Sequence, residues 1–113
     1  VPTIVVHSAD WALAYGKVAF GMENALQSAI IMAATRIQYG DDYGMEEYNL
    51  IKELKPKQKS ISFCEEIKQR AGKLIECVPS KDMSFVENPT VVGLGDAFIG
   101  GMLPELLKDK RKF

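Results

Sequence analysis

Between Glu23 and Tyr39 the chain carries apolar residues at helical spacing and nothing that would break a helix. Ala25, Leu26, Ala29, Ile30, Met32, Ala33 and Ile37 gather on one broad face, because side chains three and four apart on a helix are neighbours. Gly40 follows directly, where a glycine commonly ends a helix. A face that broad has to be covered by a sheet or by other helices. Whatever the chain folds into is therefore a layered structure with this helix at its centre.

The flanking segments supply the rest of the layer. The β-branched run Thr3-Ile4-Val5-Val6 predicts a strand of the kind buried on both faces of a parallel sheet. Ser8 or Asp10 then caps a short helix through Tyr15, stopped by Gly16. Gly40 to Gly44 reads as a turn and Met45 to Leu54 as a more polar helix. Lys52 to Lys59, around Pro56, reads as a charged, solvated connection. Ser60 or Ser62 is expected to cap a helix with Glu65 and Glu66 in its first turn, ending near Gly72. Leu74 to Val78 predicts a second strand, closed by Pro79-Ser80, and Ala97 to Lys108 a last helix. The alternation is α/β in character. Two strands make a poor sheet, since about five or six are usual. Residues 1–113 are therefore expected to complete a sheet whose other strands lie elsewhere. The chain also opens on Val1 without a leader pattern, which fits a segment of a longer protein.

Composition narrows the classes. With 113 residues, 47% hydrophobic and 26% charged, the chain has the make-up of a folded domain rather than a disordered one. Its 14 basic and 15 acidic residues leave a net charge of −1, so no electrostatic case exists for nucleic acid or an anionic membrane. The apolar stretch Ala25–Ala34 falls short of the roughly 20 residues that span a bilayer. One histidine excludes a His-rich metal site. Cys64 and Cys77, beside Phe63, Ile75 and Val78, are expected to be reduced, partly buried thiols of a cytoplasmic protein.

The chemistry concentrates in Asn88-Pro89-Thr90-Val91-Val92-Gly93-Leu94-Gly95-Asp96-Ala97-Phe98-Ile99-Gly100-Gly101. Two glycines one residue apart permit a tight turn and close approach of the backbone. The turn opens onto a helix N-terminus, where unpaired N–H groups and the helix dipole favour an anion. Asp96 lies at that junction, as a cap or as a base beside bound phosphate. The dinucleotide fingerprint fails because Phe98 occupies its last glycine position, and no Walker A triplet or nucleophile elbow is present.

Gly93-Leu94-Gly95-Asp96 followed by Ala97-Phe98-Ile99-Gly100-Gly101 resembles the C-terminal signature of the ribokinase-like sugar kinases. The finer likeness is to the ADP-dependent glucokinase and phosphofructokinase family. Val5-Val6-His7-Ser8 with Trp11-Ala12-Leu13-Ala14-Tyr15-Gly16 is similar to that family's strand and His-Thr pair. Ala33-Ala34-Thr35-Arg36-Ile37-Gln38-Tyr39-Gly40 is similar to its A-x-T-R-x-x-x-G helix end. Val78-Pro79-Ser80 and Thr90 to Asp96 resemble its closing strand and T-V-G-x-G-D motif. Val91 and Ser8 depart from the usual threonines, and Ala97-Phe98 is closer to the ATP-dependent branch. That branch's upstream Asp-Thr is missing.

The resemblance implies the C-terminal part of a ribokinase-like, three-layer α/β/α (Rossmann-like) large domain, without the sugar-binding lid. It implies phosphoryl transfer from ADP to glucose or fructose 6-phosphate, with AMP as product and Mg2+ as cofactor. Asp96 would be the catalytic base, Gly93, Leu94 and Gly95 the anion hole, His7 a nucleotide contact, and Val86 a wall of the adenine pocket. The magnesium motifs N-x-x-E and H-x-E are absent, so metal ligands and the remainder of the enzyme would lie outside this segment. An ATP-dependent ribokinase-type enzyme and a non-catalytic nucleotide-binding fragment are the alternatives. Trp11 reads as core or pocket wall and Arg36 as a complement to the helix dipole. Lys108 to Lys112 reads as a solvated end.

Overall fold

A computed structural model of the chain describes residues 3–108. The elements run β1 (Ile4–His7), β2 (Trp11–Tyr15), α1 (Glu23–Tyr39), α2 (Met45–Lys52), α3 (Gln58–Ala71), a 3-10 turn (Gly72–Leu74), β3 (Ile75–Pro79) and α4 (Leu94–Lys108). The central helix has the bounds its spacing predicts, and Gly40 ends it at φ +64°.

The sheet corrects the expectation of a parallel layer. Its three strands lie in the order β1-β2-β3 and both pairings are antiparallel. Trp11–Tyr15 is a strand rather than a short helix, and Ser8 does not cap a helix. Its Oγ accepts from the amides of Asp10 and Trp11 at 3.2 and 3.3 Å, closing the turn between β1 and β2. Large and small side chains alternate along Trp11-Ala12-Leu13-Ala14-Tyr15, and alternate residues of a strand face opposite ways. The small ones, Ala12 and Ala14, are wholly buried. Gly16 is where the chain crosses Thr3: a Cβ there would lie 2.7 Å from the Thr3 Cα. β1, expected to be buried on both faces, is instead an edge strand with Ile4 and Val6 exposed.

Helices cover both faces of β2 and β3. On one face Ala12, Ala14 and Val78 form a core with Leu26 and Ile30 of α1 and Phe98 of α4. On the other, Trp11 stacks on Phe63 of α3 at 5.3 Å, and the thiols of Cys77 and Cys64 meet at 2.7 Å. Both cysteines are free and buried. α3 begins at Gln58, ahead of both Ser60 and Ser62, so neither of the serines expected to cap it does so. Ser60 is buried inside the helix, and Glu65 and Glu66 fall beyond its first turn. α1 also turns Ile31 and Ala34 toward Ile51 of α2, so its buried surface is wider than one face.

α1 and α4 pack closely against each other along a seam at Gly101. At Gly101 a Cβ would lie 2.5 Å from the Ser28 carbonyl oxygen and 2.7 Å from the Met32 Cβ. Only glycine lets the two backbones approach this closely. The seam carries the last glycine segment onto the end of α1.

Candidate functional site

Only Gly93 stays in a turn ahead of α4; the rest of the glycine segment folds as the start of the helix itself. α4 begins at Leu94, three residues before the Ala97 start expected from the sequence, so Leu94, Gly95 and Asp96 make its first turn. The first intrahelical bond runs from the Ala97 amide to the Gly93 carbonyl at 3.1 Å. The amides of Leu94, Gly95 and Asp96 therefore precede the hydrogen-bonded ladder and point out of the helix end. With the helix dipole behind them, they form an arrangement suited to an anion. No strand leads directly into them: Val91 is irregular, Val92 lies in a turn with Gly93, and both valines are exposed.

The two glycines serve different ends. Gly93 has φ +78°, in the left-handed region where a side chain is strained. A Cβ there would also stand 2.9 Å from Nε of Arg36. Gly95, inside the helix, has nothing within 4 Å of where a Cβ would be. Its missing side chain leaves the space over the helix start open.

Two clefts flank this helix start. Met32, Arg36, Tyr43, Gly93, Asp96, Ala97 and Gly100 line one, of about 440 Å³. The other, of about 300 Å³, is mainly apolar and includes His7, Ile30, Ile37, Met83, Leu94 and Phe98. His7 stacks on Phe98 with ring centroids 4.3 Å apart and planes 15° off parallel. The end of β1 is thereby joined to the first turns of α4.

The structure thus brings together Gly93, Leu94, Gly95, Asp96 and His7 around one helix end. It does not bring in Val86. That residue closes a turn by donating its amide to the Met83 carbonyl at 3.0 Å, and Met83, not Val86, lines the apolar cleft. Trp11, half-buried, stacks on Phe63 of α3 and lines neither cleft. Residues the sequence reading did not assign to the site are Met83 and Phe98.

Arg36 is more than a dipole complement. Its Nε donates to the Val92 carbonyl at 2.7 Å and its Nη1 to Asp41 Oδ1 at 2.6 Å. Among the described residues no group of three or more His, Cys, Asp or Glu is placed to hold a metal ion. Asp96 alone does not make such a site. No helix of the described residues is long and apolar enough to cross a membrane. Of the Lys108–Lys112 tail, only Lys108 lies within the described residues, paired with Glu105 at 3.1 Å.

No protein-family profile matches the sequence, and no curated protein does. Solved structures do match. A phosphofructokinase from Pyrococcus horikoshii OT3, solved with AMP, superposes with a TM-score of 0.71 at 23% identity, over 94% of this chain and 26% of that one. A last common ancestor of ADP-dependent phosphofructokinases from Methanosarcinales superposes at 0.67 with 18% identity, over 93% of this chain and 26% of its own. An ADP-dependent kinase in complex with fructose 6-phosphate and ADPβS gives 0.69 at 18% identity, over 98% of this chain and 29% of its own. At these identities the likeness establishes the fold. The chain spans about a quarter of the length of the structures it matches.

Proposed function

We propose that residues 1–113 are the C-terminal segment of the nucleotide-binding large domain of an ADP-dependent sugar kinase. In that enzyme the segment would close a ribokinase-like three-layer α/β/α fold. The observation that carries this reading is the start of α4: three outward amides, a carboxylate in the same turn, and open space over Gly95. The ADP-dependent kinases whose structures share this fold support ADP as donor and a sugar phosphate such as fructose 6-phosphate as acceptor; glucose is the other acceptor that the family resemblance implies.

On this reading, Asp96 accepts the proton of the sugar hydroxyl as that oxygen attacks the β-phosphorus of ADP. The bond from the β-phosphorus to the bridging oxygen breaks and AMP leaves. The Leu94, Gly95 and Asp96 amides face the charge on the transferring group, which positioning and electrostatics must stabilise. The apolar cleft beside His7 and Phe98 is suited to the nucleoside end. Mg2+, which the family resemblance implies, would take its ligands from outside this segment, and no step here runs through it.

A positioned base of this kind contributes about 10²–10⁴-fold. The intact enzyme with Asp96→Asn should keep nucleotide affinity and lose turnover by that factor, read in a coupled assay of AMP release. Retained turnover would remove Asp96 as the base. The same assay with ATP in place of ADP tests donor choice, and a preference for ATP would reassign the enzyme to the ATP-dependent branch.

A further inference from the structure

We propose that Arg36 is a positioning residue of the phosphoryl-transfer site, holding the glycine turn so that the Leu94–Asp96 amides point at one place. The proposal rests on the phosphotransferase reading above. Arg36 is in the last turn of α1 with its side chain 19% exposed. Both arms of its guanidinium are engaged. Nε holds the Val92 carbonyl at 2.7 Å, one residue before Gly93, and Nη1 holds Asp41 at 2.6 Å. The planar group lies against Gly93, with Nε, Cζ and Nη2 at 2.9, 3.2 and 3.2 Å from where a Cβ would be. Glycine at 93 is therefore favoured by its backbone angle, and any side chain there would push the guanidinium from its place.

A second tether runs alongside. The Thr90 amide donates to the Ile37 carbonyl at 3.0 Å, so the segment leading into α4 is fixed to the end of α1 at two points. Of these only the Arg36 contact depends on a side chain. Arg36 also lines the cleft that holds Asp96, so any change in its hold acts on that cleft directly. A charge placed for the helix dipole alone could equally be a lysine. A lysine has one terminal ammonium and cannot bind Val92 and Asp41 through separate arms of a rigid fork. Displacing a reacting group by about 1 Å can cost on the order of 10²-fold in rate.

The test uses the intact enzyme carrying Arg36→Lys, Arg36→Ala or Asp96→Asn, with kcat and nucleotide KM measured separately. We expect Arg36→Lys to lower kcat by about 10–100-fold while KM stays within a few-fold and the melting temperature is little changed. Guanidinium ion added to Arg36→Ala should restore part of the lost kcat. If Arg36→Ala does not fold, Arg36→Lys, which keeps the stem and the charge, decides alone. Wild-type kcat in Arg36→Lys overturns the proposal. So does a loss that appears only in KM, which would make Arg36 a binding group. Turnover retained in Asp96→Asn would instead remove Asp96 as the base, whatever Arg36 does, and wild-type enzyme that transfers no phosphoryl group from ADP or ATP would sink the phosphotransferase reading.

Discussion

Asp10 shows how a residue's role changes once its neighbours are known. Read along the chain it is a candidate helix cap; in the fold it stands in the β1–β2 turn and pairs with Lys57 at 2.9 Å, just ahead of α3. The Lys57 ammonium, through its hydrogen bond and its charge, holds the Asp10 carboxyl below the usual carboxylate range. A carboxyl depressed on folding stabilises the native state at pH above its unfolded value, about 3.9, and loses that contribution as pH falls through the folded value. Asp10→Asn should therefore lower the melting temperature slightly near neutral pH, with the gap to wild type closing below about pH 3.9. A gap that persists at lower pH would mean the pair is not its cause. At this scale the site was largely legible: Gly93, Gly95 and Asp96 are marked by residue type alone. Arg36 was not, because its partner Val92 lies 56 positions away and is bound through a backbone carbonyl, which no side-chain pattern encodes.

Elements were legible where local preference and tertiary contact agree. α1 has an apolar face, strong helix formers and a glycine stop, and its bounds follow from these. β2 misleads because alanine and leucine favour helices in isolation. Pairing with β1 and β3 overrides that preference, and the large–small alternation was the signal that survived. The order of the strands and their antiparallel sense were illegible, since register is set by contacts among separated segments. The α1–α4 seam yields a test with its own control. Gly100 and Gly101 are adjacent in α4, yet only Gly101 faces backbone across the seam. Gly100→Ala should stabilise the fold by about 0.4–1 kcal/mol through helix propensity and a restricted unfolded chain. Gly101→Ala should destabilise it by about 1–3 kcal/mol through overpacking. Chemical denaturation of the two variants would measure both, and equal effects would mean that the helices do not meet there.

At the scale of the molecule the surface carries a run of exposed apolar side chains. Ile99, Leu103 and Leu107 are exposed along α4, with Val91 and Val92 before it and Ile4 and Val6 on β1. The matched structures are about four times as long, which is consistent with covering by the remainder of an enzyme. On the proposed function, the segment by itself should therefore bind an apolar fluorescent dye or self-associate, and should lose that behaviour when mixed with the remainder of the proposed enzyme. A dye-free, monomeric segment would count against this reading.

The contact between Arg36 and Val92 has a kinetic side as well. It closes a loop of 56 residues, for which the length-dependent entropy cost is about 3.6 kcal/mol. The β1–β2 hairpin and α1 are local and can form early; the start of α4 cannot reach its place until that long loop is closed. The start of α4, which the proposed function sets against the phosphate, is accordingly expected among the last features to assemble. A partly folded chain that already has its hairpin and central helix would look largely native by spectroscopy and still have nothing with which to grip a phosphate.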